Sequence, residues 1–204
     1  MRNPNTEIMP LIKRQTLELL MKKNPDQIGM RDIAKNCGIT ATNIYHYYKD
    51  KDKLFQEIGL DCLYELNDKI KKASQNGDSA KKQIENAIGA FRDWCFDNPR
   101  LSILVMQEIK SAENAKPELL EEYYVCNRTG ESLLEKAVAQ GEAESKNPRL
   151  DVGLLVWGLW GCIESVLHKK SEAEYWDDGK TFTDRFIELW MKSIFIVDSE
   201  KEKA

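Results

Sequence analysis

The sequence MRDIAKNCGITATNIYHYYKDKDKL, residues 30–54, decides the fold of this chain. Its first part places four apolar residues at the spacing i, i+3, i+4 and i+7, which is one face of a short helix; they are Met30, Ile33, Ala34 and Cys37. Gly38 follows the last of them, and glycine most readily takes the left-handed conformation in which many helices end. The pattern predicts a short helix that ends in a sharp turn.

A second short helix is expected directly after this turn. Thr40 is a suitable N-cap, because its hydroxyl oxygen can accept a hydrogen bond from a backbone amide of the first turn. Ile44 and Tyr48 lie four residues apart and supply an inward face. The residues left on or near the outward side are Ala41, Thr42, Asn43, Tyr45, His46 and Tyr47. Two short helices joined by a tight turn form a helix-turn-helix, which predicts sequence-directed DNA binding.

The outward side chains have the chemistry that a DNA groove requires. Thr40, Thr42 and Asn43 can hydrogen-bond to base edges, and Ala41 or a threonine methyl can contact the methyl group of thymine. Tyrosine hydroxyls and a lysine ammonium can hold phosphates. The alternative is an ordinary surface helix whose tyrosines pack on a neighbouring element, and the pattern alone leaves both interpretations open.

From Ile12 to about Ile58 the chain resembles the tetracycline-repressor (TetR) family of bacterial transcriptional regulators. The resemblance rests on RDIA at 31–34, on GIT at 38–40, on NIYHYYKDK at 43–51 with the Leu-Phe pair that follows at 54–55, and on the first-helix residues Ile12, Leu17, Leu19 and Leu20. In this family Tyr45 and Lys51 would lie mostly on phosphates. The full set of implied DNA-contacting residues, with Ala41 included for its methyl group, is Thr40, Ala41, Thr42, Asn43, Tyr45, His46, Tyr47 and Lys51.

The chain departs from the family pattern at three places. Asn24-Pro25 stands where a glycine usually follows the first helix; asparagine tolerates the left-handed conformation and proline stops the helix, so we expect the corner to be kept. Ile28-Gly29 stands where a serine or threonine usually caps the second helix, so one phosphate contact is expected to be missing. Ala41-Thr42 replaces a frequent Lys-Gly pair, which predicts a different operator sequence.

The whole chain is expected to be all-α. Of its 204 residues 31% are charged, and helical periodicity extends over nearly the full length, whereas signals for strands are nearly absent. We expect an N-terminal three-helix helix-turn-helix domain and a C-terminal helical bundle, about nine helices in all, in a homodimer. The resemblance places the DNA-binding domain at 5–65, with the helix-turn-helix at about 29–48, and an effector-binding and dimerisation domain at 66–204.

Turn residues set the expected boundaries of the later helices. A long fourth helix begins near Asp50 or Asp52 and ends at about Ser74, before the sequence Asn-Gly-Asp at 76–78. Each further helix is bounded by Gly, Pro, Asn or Asp residues. These helices are expected at 79–96, 101–109, 117–141, 154–167 and 181–197.

The helix expected at 154–167, LLVWGLWGCIESVL, is apolar nearly all round, so it must be covered on more than one side. It is either the core of one chain or, as the resemblance implies, part of a four-helix dimer interface formed with the helix at 181–197. Two recognition helices of a dimer enter successive major grooves about 34–36 Å apart, which requires a near-palindromic operator. The predicted interface residues are Leu154, Trp157, Gly158, Gly161, Phe186, Leu189 and Trp190.

The resemblance further implies a pocket for an unknown small-molecule effector inside the bundle formed by helices four to eight. Its occupation would move the fourth helix, and an effector acts only through its difference in affinity for the two states. Each candidate residue can equally be ordinary core, and Glu108 or Glu164 could pair with a cationic effector. The candidate lining residues are Phe91, Trp94, Met106, Tyr123, Tyr124, Cys126, Trp157 and Trp160.

Charge is divided unevenly along the chain. The formal net charge is −4. Residues 1–60 carry ten Lys and Arg against seven Asp and Glu, a balance of +3, and the remaining residues have a balance of −7. A basic end can lie on phosphates while an acidic remainder keeps the protein off indiscriminate sites.

We expect a cytoplasmic protein with no membrane partner. The first fifteen residues contain charges and a proline but no continuous apolar segment of the kind that a secretory signal requires. The longest apolar run, Val152–Ile163, has about twelve residues and is too short to span a bilayer.

Sites for other chemistry are not evident in the sequence. The five cysteines stand apart at 37, 62, 95, 126 and 162, which suits reduced, mostly buried thiols, although a metal or redox sensor is an alternative. There is no Gly-rich phosphate loop, no nucleophile elbow and no cluster at metal-ligand spacing, so we expect neither an enzyme, nor a cofactor, nor a metal site. A further alternative is a helical adaptor that has this fold but acts through protein contacts.

Overall fold

Helices make up almost all regular structure in the computed structural model, which describes residues 5–108 and 121–196. In these ranges the only β pairing is an isolated bridge between Ala143 and Phe195. Short 3-10 turns lie at Pro25–Gln27 and Ala173–Tyr175, and a π-helical turn lies at Leu104–Glu108. The α-helices are α1 (Asn5–Leu20), α2 (Met30–Cys37), α3 (Ala41–Ile44), α4 (Lys51–Ser74), α5 (Ala80–Asp97), α6 (Pro99–Ile103), α7 (Val125–Ala139), α8 (Pro148–Leu167) and α9 (Gly179–Ile194). The all-α prediction is confirmed.

The described residues group into two compact units. The first draws on Met1–Tyr64 and Asn98–Ala115, and the second on Glu65–Asp97 and Lys116–Ala204. The predicted division after residue 65 falls beside the first boundary, but the sequence did not indicate that α6 belongs with the N-terminal unit. The division of function between residues 5–65 and 66–204 stays a prediction.

The first unit is held together by side chains from α1 to α4. α2 packs on both α1 and α3. Each fully buried aliphatic side chain contributes about 1.5–3 kcal/mol. The side chains at 0 or 1% exposure that form this core include Ile12, Leu20, Ile33, Ile44, Tyr48, Leu54 and Ile58.

The chain turns between α1 and α2 as expected, but the backbone conformation at this corner differs from the expected one. Asn24 has φ −68° and ψ 154°, which is extended and not left-handed backbone. Its amide donates to Oε1 of Gln27 at 3.2 Å, and Pro25 begins the 3-10 turn. A proline suits the first position of such a turn because no partner is needed for its missing N–H.

The second unit is a helical bundle in which α8 contacts α5, α7 and α9. Asn147 caps α8, because its side-chain oxygen accepts from the amide of Leu150 at 3.2 Å, and Pro148 follows as the first helical residue. The helix therefore begins six residues before the predicted start. The periodicity of the apolar run did not show this, since the first turn is polar, whereas the cap and the proline did signal it.

The length of α8 corrects one argument from the sequence. With 20 residues from Pro148 to Leu167, this helix is long and apolar enough to cross a membrane, by length and composition alone. The apolar run of about twelve residues is therefore shorter than the helix that contains it. Core helices of soluble proteins satisfy the same criterion, so the length decides nothing about a membrane.

The remaining boundaries agree with the sequence in part. α5 begins and ends within one residue of its predicted bounds. α6 is shorter than predicted, because a π-helical turn follows it at Leu104–Glu108. Gly141, with φ +70°, terminates the turn after α7 as expected for a glycine. α9 ends at Ile194, three residues before the predicted end, because Phe195 is extended. The predicted bounds at residues 109 and 117 lie outside the described residues.

Candidate nucleic-acid interface

Helix α2 has the cap and the termination that the sequence predicted. The amide of Gly29 donates to Oδ2 of Asp32 at 3.0 Å, so the carboxylate satisfies the N–H of the cap residue, although glycine has no side chain to accept from the first turn. Ile33 and Ala34 are buried on the inward face. Gly38 has φ +68° and ψ 24°, and its amide donates to the carbonyls of the last turn. A side chain at this position would be strained by the left-handed backbone.

Helix α3 is shorter than expected. Oγ1 of Thr40 accepts from the amide of Asn43 at 3.1 Å, which confirms the predicted N-cap. Regular helix ends at Ile44 and does not extend to Tyr48. The amides of Tyr47 and Tyr48 both donate to the carbonyl of Ile44 at 3.0 Å, so hydrogen-bonded turns continue the same direction. Tyr48 therefore still reaches the core.

Tyr48 anchors the end of this segment. Its side chain is fully buried, and its hydroxyl donates to Oε2 of Glu57 on α4 at 3.3 Å. Burial, reinforced by the Glu57 carboxylate, raises the pKa of Tyr48 well above its usual value. The hydroxyl therefore stays protonated and keeps its hydrogen bond at every physiological pH. Nζ of Lys13 on α1 lies 3.5 Å from the same carboxylate and 2.9 Å from Asp61, which links α1, α4 and the turn that holds Tyr48.

The residues between Thr40 and Tyr47 present a continuous accessible surface, apart from the buried Ile44. Tyr45 is 53% exposed. Thr40, Thr42 and His46 are also exposed, and Ala41, Asn43 and Tyr47 are half-buried. All seven predicted contact residues of this segment are thus accessible to a ligand. The surface is rigid at both ends, because Thr40 caps α3 and Tyr48 is buried.

Lys51 is placed differently from the rest of the predicted set. Its Nζ donates to the carbonyl of Pro25 at 3.1 Å and lies 5.2 Å from the centre of the Phe55 ring. The lysine therefore ties the start of α4 to the corner before α2. A lysine ammonium has three donors, so the contact with Pro25 leaves two for a phosphate.

Other cations flank this surface that the predicted contact set did not include. Arg31, Lys35, Lys49 and Lys53 are all exposed. The carboxylate of Asp50 accepts from the amide of Lys53 at 2.8 Å, so this acid caps α4. The signal for Lys49 was present in the sequence, since it lies two residues before Lys51, but basic residues next to a motif are too common to be distinctive.

Residues 12–58 match the family of bacterial regulatory proteins of the tetR type. The matched segment contains all of α2 and α3, the Gly38 turn and the Thr40 cap. This segment of the chain is therefore similar to the helix-turn-helix of tetR-type regulators.

A curated relative supports this assignment. The HTH-type transcriptional regulator BetI 1 of Chromohalobacter salexigens is 27% identical over 110 residues. The alignment covers 51% of this chain and 52% of the relative, so this chain spans about half the length of the protein that it matches.

Solved structures show the same fold over nearly the full chain. A regulatory protein of the tetR family from Rhodococcus RHA1 has a TM-score of 0.72 and 16% identity, with 94% of this chain and 99% of that chain covered. The fatty acid degradation regulator FadR of Bacillus halodurans has a TM-score of 0.68 and 14% identity, with 89% and 97% covered. At these identities the likeness shows the fold alone.

The seven residues predicted for the dimer interface fall into two groups. Leu154, Trp157 and Leu189 are 60, 47 and 51% exposed, and nothing lies within 4 Å of where a Cβ would stand at Gly161. The other three make contacts within the chain. Gly158 and Phe186 lie against each other, since a Cβ on Gly158 would lie 2.5 Å from Cζ of Phe186, and Nε1 of Trp190 donates to the Asp151 carbonyl at 3.2 Å. The helix has one face toward α9 and another that is accessible.

The second unit contains a small apolar cavity of about 40 Å³ between α4, α5, α7 and α8. Phe91 and Cys126 are the two predicted effector residues in its wall. The sequence did not single out the others, because aliphatic side chains at helical spacing look the same in a solid core and around a cavity. The full lining is Ile70, Ile84, Ala87, Ile88, Phe91, Cys126, Gly130, Val152, Leu155, Val156 and Leu159.

The remaining predicted effector residues lie elsewhere. Trp94 and Trp160 are buried, and Nε1 of Trp94 donates to Oε1 of Glu65 at 3.4 Å. Tyr123 and Tyr124 contact each other edge to face, with ring centres 5.2 Å apart. Trp157 is exposed, and Met106 belongs to the first unit.

The two proposed partners for a cationic effector also do not reach this cavity. Glu164 lies 3.8 Å from Nζ of Lys170 and does not line the cavity. The side chain of Glu108 lies outside the described residues.

The cysteines of the second unit have the properties of buried thiols. Burial raises the pKa of Cys95, and it raises the pKa of Cys126 to about 12. Metal binding and redox chemistry both need the thiolate, which is scarce at neutral pH when the pKa is raised. Within residues 5–108 and 121–196 no three His, Cys, Asp or Glu residues are placed to hold a metal ion.

Proposed function

We propose that this protein is a transcriptional repressor that binds a near-palindromic operator as a homodimer and is released by a small-molecule effector. The observation that carries the proposal is the accessible surface from Thr40 to Tyr47. It stands on a capped helix, it is anchored by a buried tyrosine, and it lies inside the segment that matches the tetR family. Its threonine, asparagine and tyrosine side chains have the donors and acceptors that DNA recognition uses.

The proposed roles follow from position and chemistry. Thr40, Ala41, Thr42 and Asn43 lie at the start of α3, where small side chains allow a close approach to base edges. Tyr45, His46, Tyr47 and Lys51 follow this helix and would hold phosphates or neighbouring bases. Residues 5–65 would bind DNA and residues 66–204 would dimerise and bind the effector.

The function is tested by fluorescence anisotropy on the duplex upstream of the protein's own gene, with a scrambled duplex as control, at two salt concentrations. We expect preference for the native duplex and a steep loss of affinity with salt, at a log–log slope of about −0.9 per phosphate neutralised. If no preference is seen, selection from random duplexes tests for a distant operator. A protein that selects no duplex there acts as an adaptor and not as a repressor.

Substitutions separate base recognition from phosphate binding. Asn43→Ala is expected to relax discrimination at particular base pairs by about 1–3 kcal/mol, because it removes a side chain directed at base edges.

Lys51→Ala is expected to weaken binding to all duplexes alike and to reduce the salt slope by about one unit. Binding titrations on single-base operator variants at several salt concentrations measure both. Uniform loss for Asn43→Ala would contradict its role, and thermal unfolding controls for the contact between Lys51 and Pro25.

The proposed dimer is formed by the accessible face of α8 together with α9. Leu150 is 56% exposed and lies one turn before Leu154; with Trp157 and Gly161 the spacing is i, i+4, i+7 and i+11, a continuous stripe along one helix face. Leu189 extends this apolar surface onto α9. Contiguous exposed apolar surface of this kind is typical of an interface between proteins. A two-fold axis through it pairs the stripe with its own copy.

The cavity in the second unit supports the proposal of an effector site. It lies in the bundle and includes α4, the helix that also begins next to the DNA-binding segment. An effector that binds the DNA-incompetent state more tightly than the competent one lowers operator affinity by that difference. We further propose that the protein is cytoplasmic, where its operator is accessible, and that it is not an enzyme.

A further inference from the structure

We propose that the cavity of the second unit takes an uncharged, apolar ligand, and that the hydrogen bond between Cys126 and Asn67 carries its occupancy to α4. This inference rests on the proposed function, because it assumes that a bound effector changes DNA binding. It adds the chemical class of the effector and names the positioning residues that respond to it.

The cavity wall determines the class of ligand. Its side chains are aliphatic or aromatic except for the thiol of Cys126, and no charged residue is among them. A charged or strongly polar group placed here would lose its hydration without gaining a partner, which is unfavourable. Apolar cavities of this kind instead bind apolar molecules, which replace empty space with dispersion contacts. The wall thus selects against ions and for hydrocarbon.

The size of the cavity implies that a wall must move. Its volume of about 40 Å³ leaves room for only a small apolar group, whereas sites for small organic ligands have roughly 300–1,000 Å³. α7 and α8 are closely packed near Gly130, where a Cβ would lie 2.9 Å from Cγ1 of Val152. Cys126 lies one turn earlier on α7 and belongs to the same wall.

Asn67 ties this end of α7 to α4. It is only 2% exposed, and its Nδ2 donates to the carbonyl of Glu122 at 2.9 Å. The thiol of Cys126 donates to Oδ1 of the same amide at 3.2 Å. Since burial raises the pKa of Cys126 to about 12, the thiol keeps its proton and remains a donor at neutral pH. The amide is therefore bonded on both sides to the chain segment that precedes and begins α7.

The cavity wall and the hydrogen bond between Cys126 and Asn67 both involve α4 and α7. Cys126 lines the cavity on one side and bonds Asn67 on the other, and Ile70, three residues after Asn67 on α4, is also in the wall. A ligand that enlarges the cavity pushes on Cys126 and Ile70 and so strains the bond between α7 and α4. A buried amide that loses a partner is destabilised, so α4 must shift to restore it. α4 is a single helix from Lys51 to Ser74, so Asn67 and the turn that holds Lys51 belong to one element.

The ligand class is tested with three probes that share a hexyl chain: hexan-1-ol, hexanoate and hexylammonium. Binding to the full-length protein is followed by the methyl NMR resonances of Ile70 and Ile84, which both line the cavity. We expect saturable shifts with hexan-1-ol and at least tenfold weaker binding of both ions. Equal or tighter binding of either ion would overturn the assignment of an uncharged ligand.

A matched pair of variants locates the binding. Ala87→Val fills the cavity and is expected to weaken hexan-1-ol binding at least tenfold. Ala90→Val makes the same exchange on the same helix at a residue outside the cavity wall, and it is expected to bind as the unchanged protein does. If both variants bind the alcohol equally well, the ligand lies elsewhere.

The coupling is tested with Cys126→Ser and Cys126→Ala. Serine can still donate to Asn67, whereas alanine keeps an apolar wall but removes the donor. Both variants should bind hexan-1-ol. We expect saturating alcohol to lower operator affinity at least tenfold in the unchanged protein and in Cys126→Ser, and to have no effect in Cys126→Ala. A full response in Cys126→Ala would show that the hydrogen bond is not the route.

A readout without DNA separates this inference from the proposed function. The side-chain amide resonance of Asn67 should move with the same dissociation constant as the methyl resonances, and only in proteins that keep the donor at 126. An unmoved Asn67 amide at saturation would overturn the coupling even if an operator is found. A moving amide in a protein that binds no duplex would instead retain the inferred site and reject the repressor.

Discussion

Trp157→Glu is expected to break the dimer and, with it, tight operator binding. Trp157 is 47% exposed in the single chain, so a glutamate there leaves the fold of the protomer intact. In the proposed interface the new carboxylate is buried without a partner. An uncompensated buried charge of this kind costs about 3–5 kcal/mol. Because of the two-fold axis, the interface contains two such carboxylates. We therefore expect a rise in the dimer dissociation constant by at least about a thousandfold, since each 1.4 kcal/mol is a factor of ten.

Operator affinity should fall together with dimerisation. A monomer reaches one half-site only, so we expect at least a hundredfold weaker binding at protein concentrations where the unchanged protein is dimeric. Sedimentation velocity measures the oligomeric state, and anisotropy measures binding to the operator. Both should change in the same concentration range.

The matched control is Trp176→Glu. Trp176 is 40% exposed in the same unit, after α8, and its Nε1 donates to the carbonyl of Ser171 at 2.9 Å. It does not belong to the stripe on α8, so this variant should remain dimeric and bind the operator. An intact dimer for Trp157→Glu would place the interface elsewhere on the molecule.

Ile44→Ala is expected to have the largest effect on the stability of the DNA-binding segment. Ile44 is fully buried, and it is the inward residue of a helix of only four residues. Truncation of a buried isoleucine to alanine costs about 2–5 kcal/mol, a large share of the total stability of a typical domain. The carbonyl of the same residue accepts from Tyr47 and Tyr48, so its displacement disturbs the following turns. We expect a lower melting temperature and weaker binding to every duplex.

Thr42→Ala provides the comparison within the same helix. Thr42 is exposed, so its truncation should change stability by no more than about 0.5 kcal/mol. Its effect should appear as altered discrimination at one or two base pairs, of about 1–3 kcal/mol. Thermal unfolding and binding to single-base operator variants distinguish the two outcomes. If Ile44→Ala kept both stability and selectivity, α3 would not be the element that positions the contacts.

The helix-turn-helix could be predicted because its signals are local. Gly38 ends α2 by its own backbone conformation, and Thr40 caps α3 through a bond to a residue three positions away. Such interactions involve residues within one turn of each other, so they can be recognised in the printed sequence. The end of α3 was less predictable, since hydrogen-bonded turns and regular helix place Tyr48 on the same side.

The accessible surface from Thr40 to Tyr47 is easier to recognise in the sequence than the cavity wall. The surface from Thr40 to Tyr47 consists of consecutive residues. The cavity wall comes from four helices whose apolar residues show the same spacing whether they enclose a space or fill it. Attention to aromatic and sulfur-containing residues found Phe91 and Cys126 but also selected Trp157, which is exposed.

The sequence by itself determined the helical class, the helix-turn-helix segment at 30–54 and the family resemblance, because periodicity, caps and turns act over three or four residues. Only the tertiary structure decided which face of α8 contacts α9 and which is accessible, since a helix that is apolar all round has no preferred direction. It also decided that Lys51 reaches Pro25 and that Asn67 is buried against Cys126. These contacts join residues 26 and 59 positions apart, and their partners are chosen by the packing of whole helices.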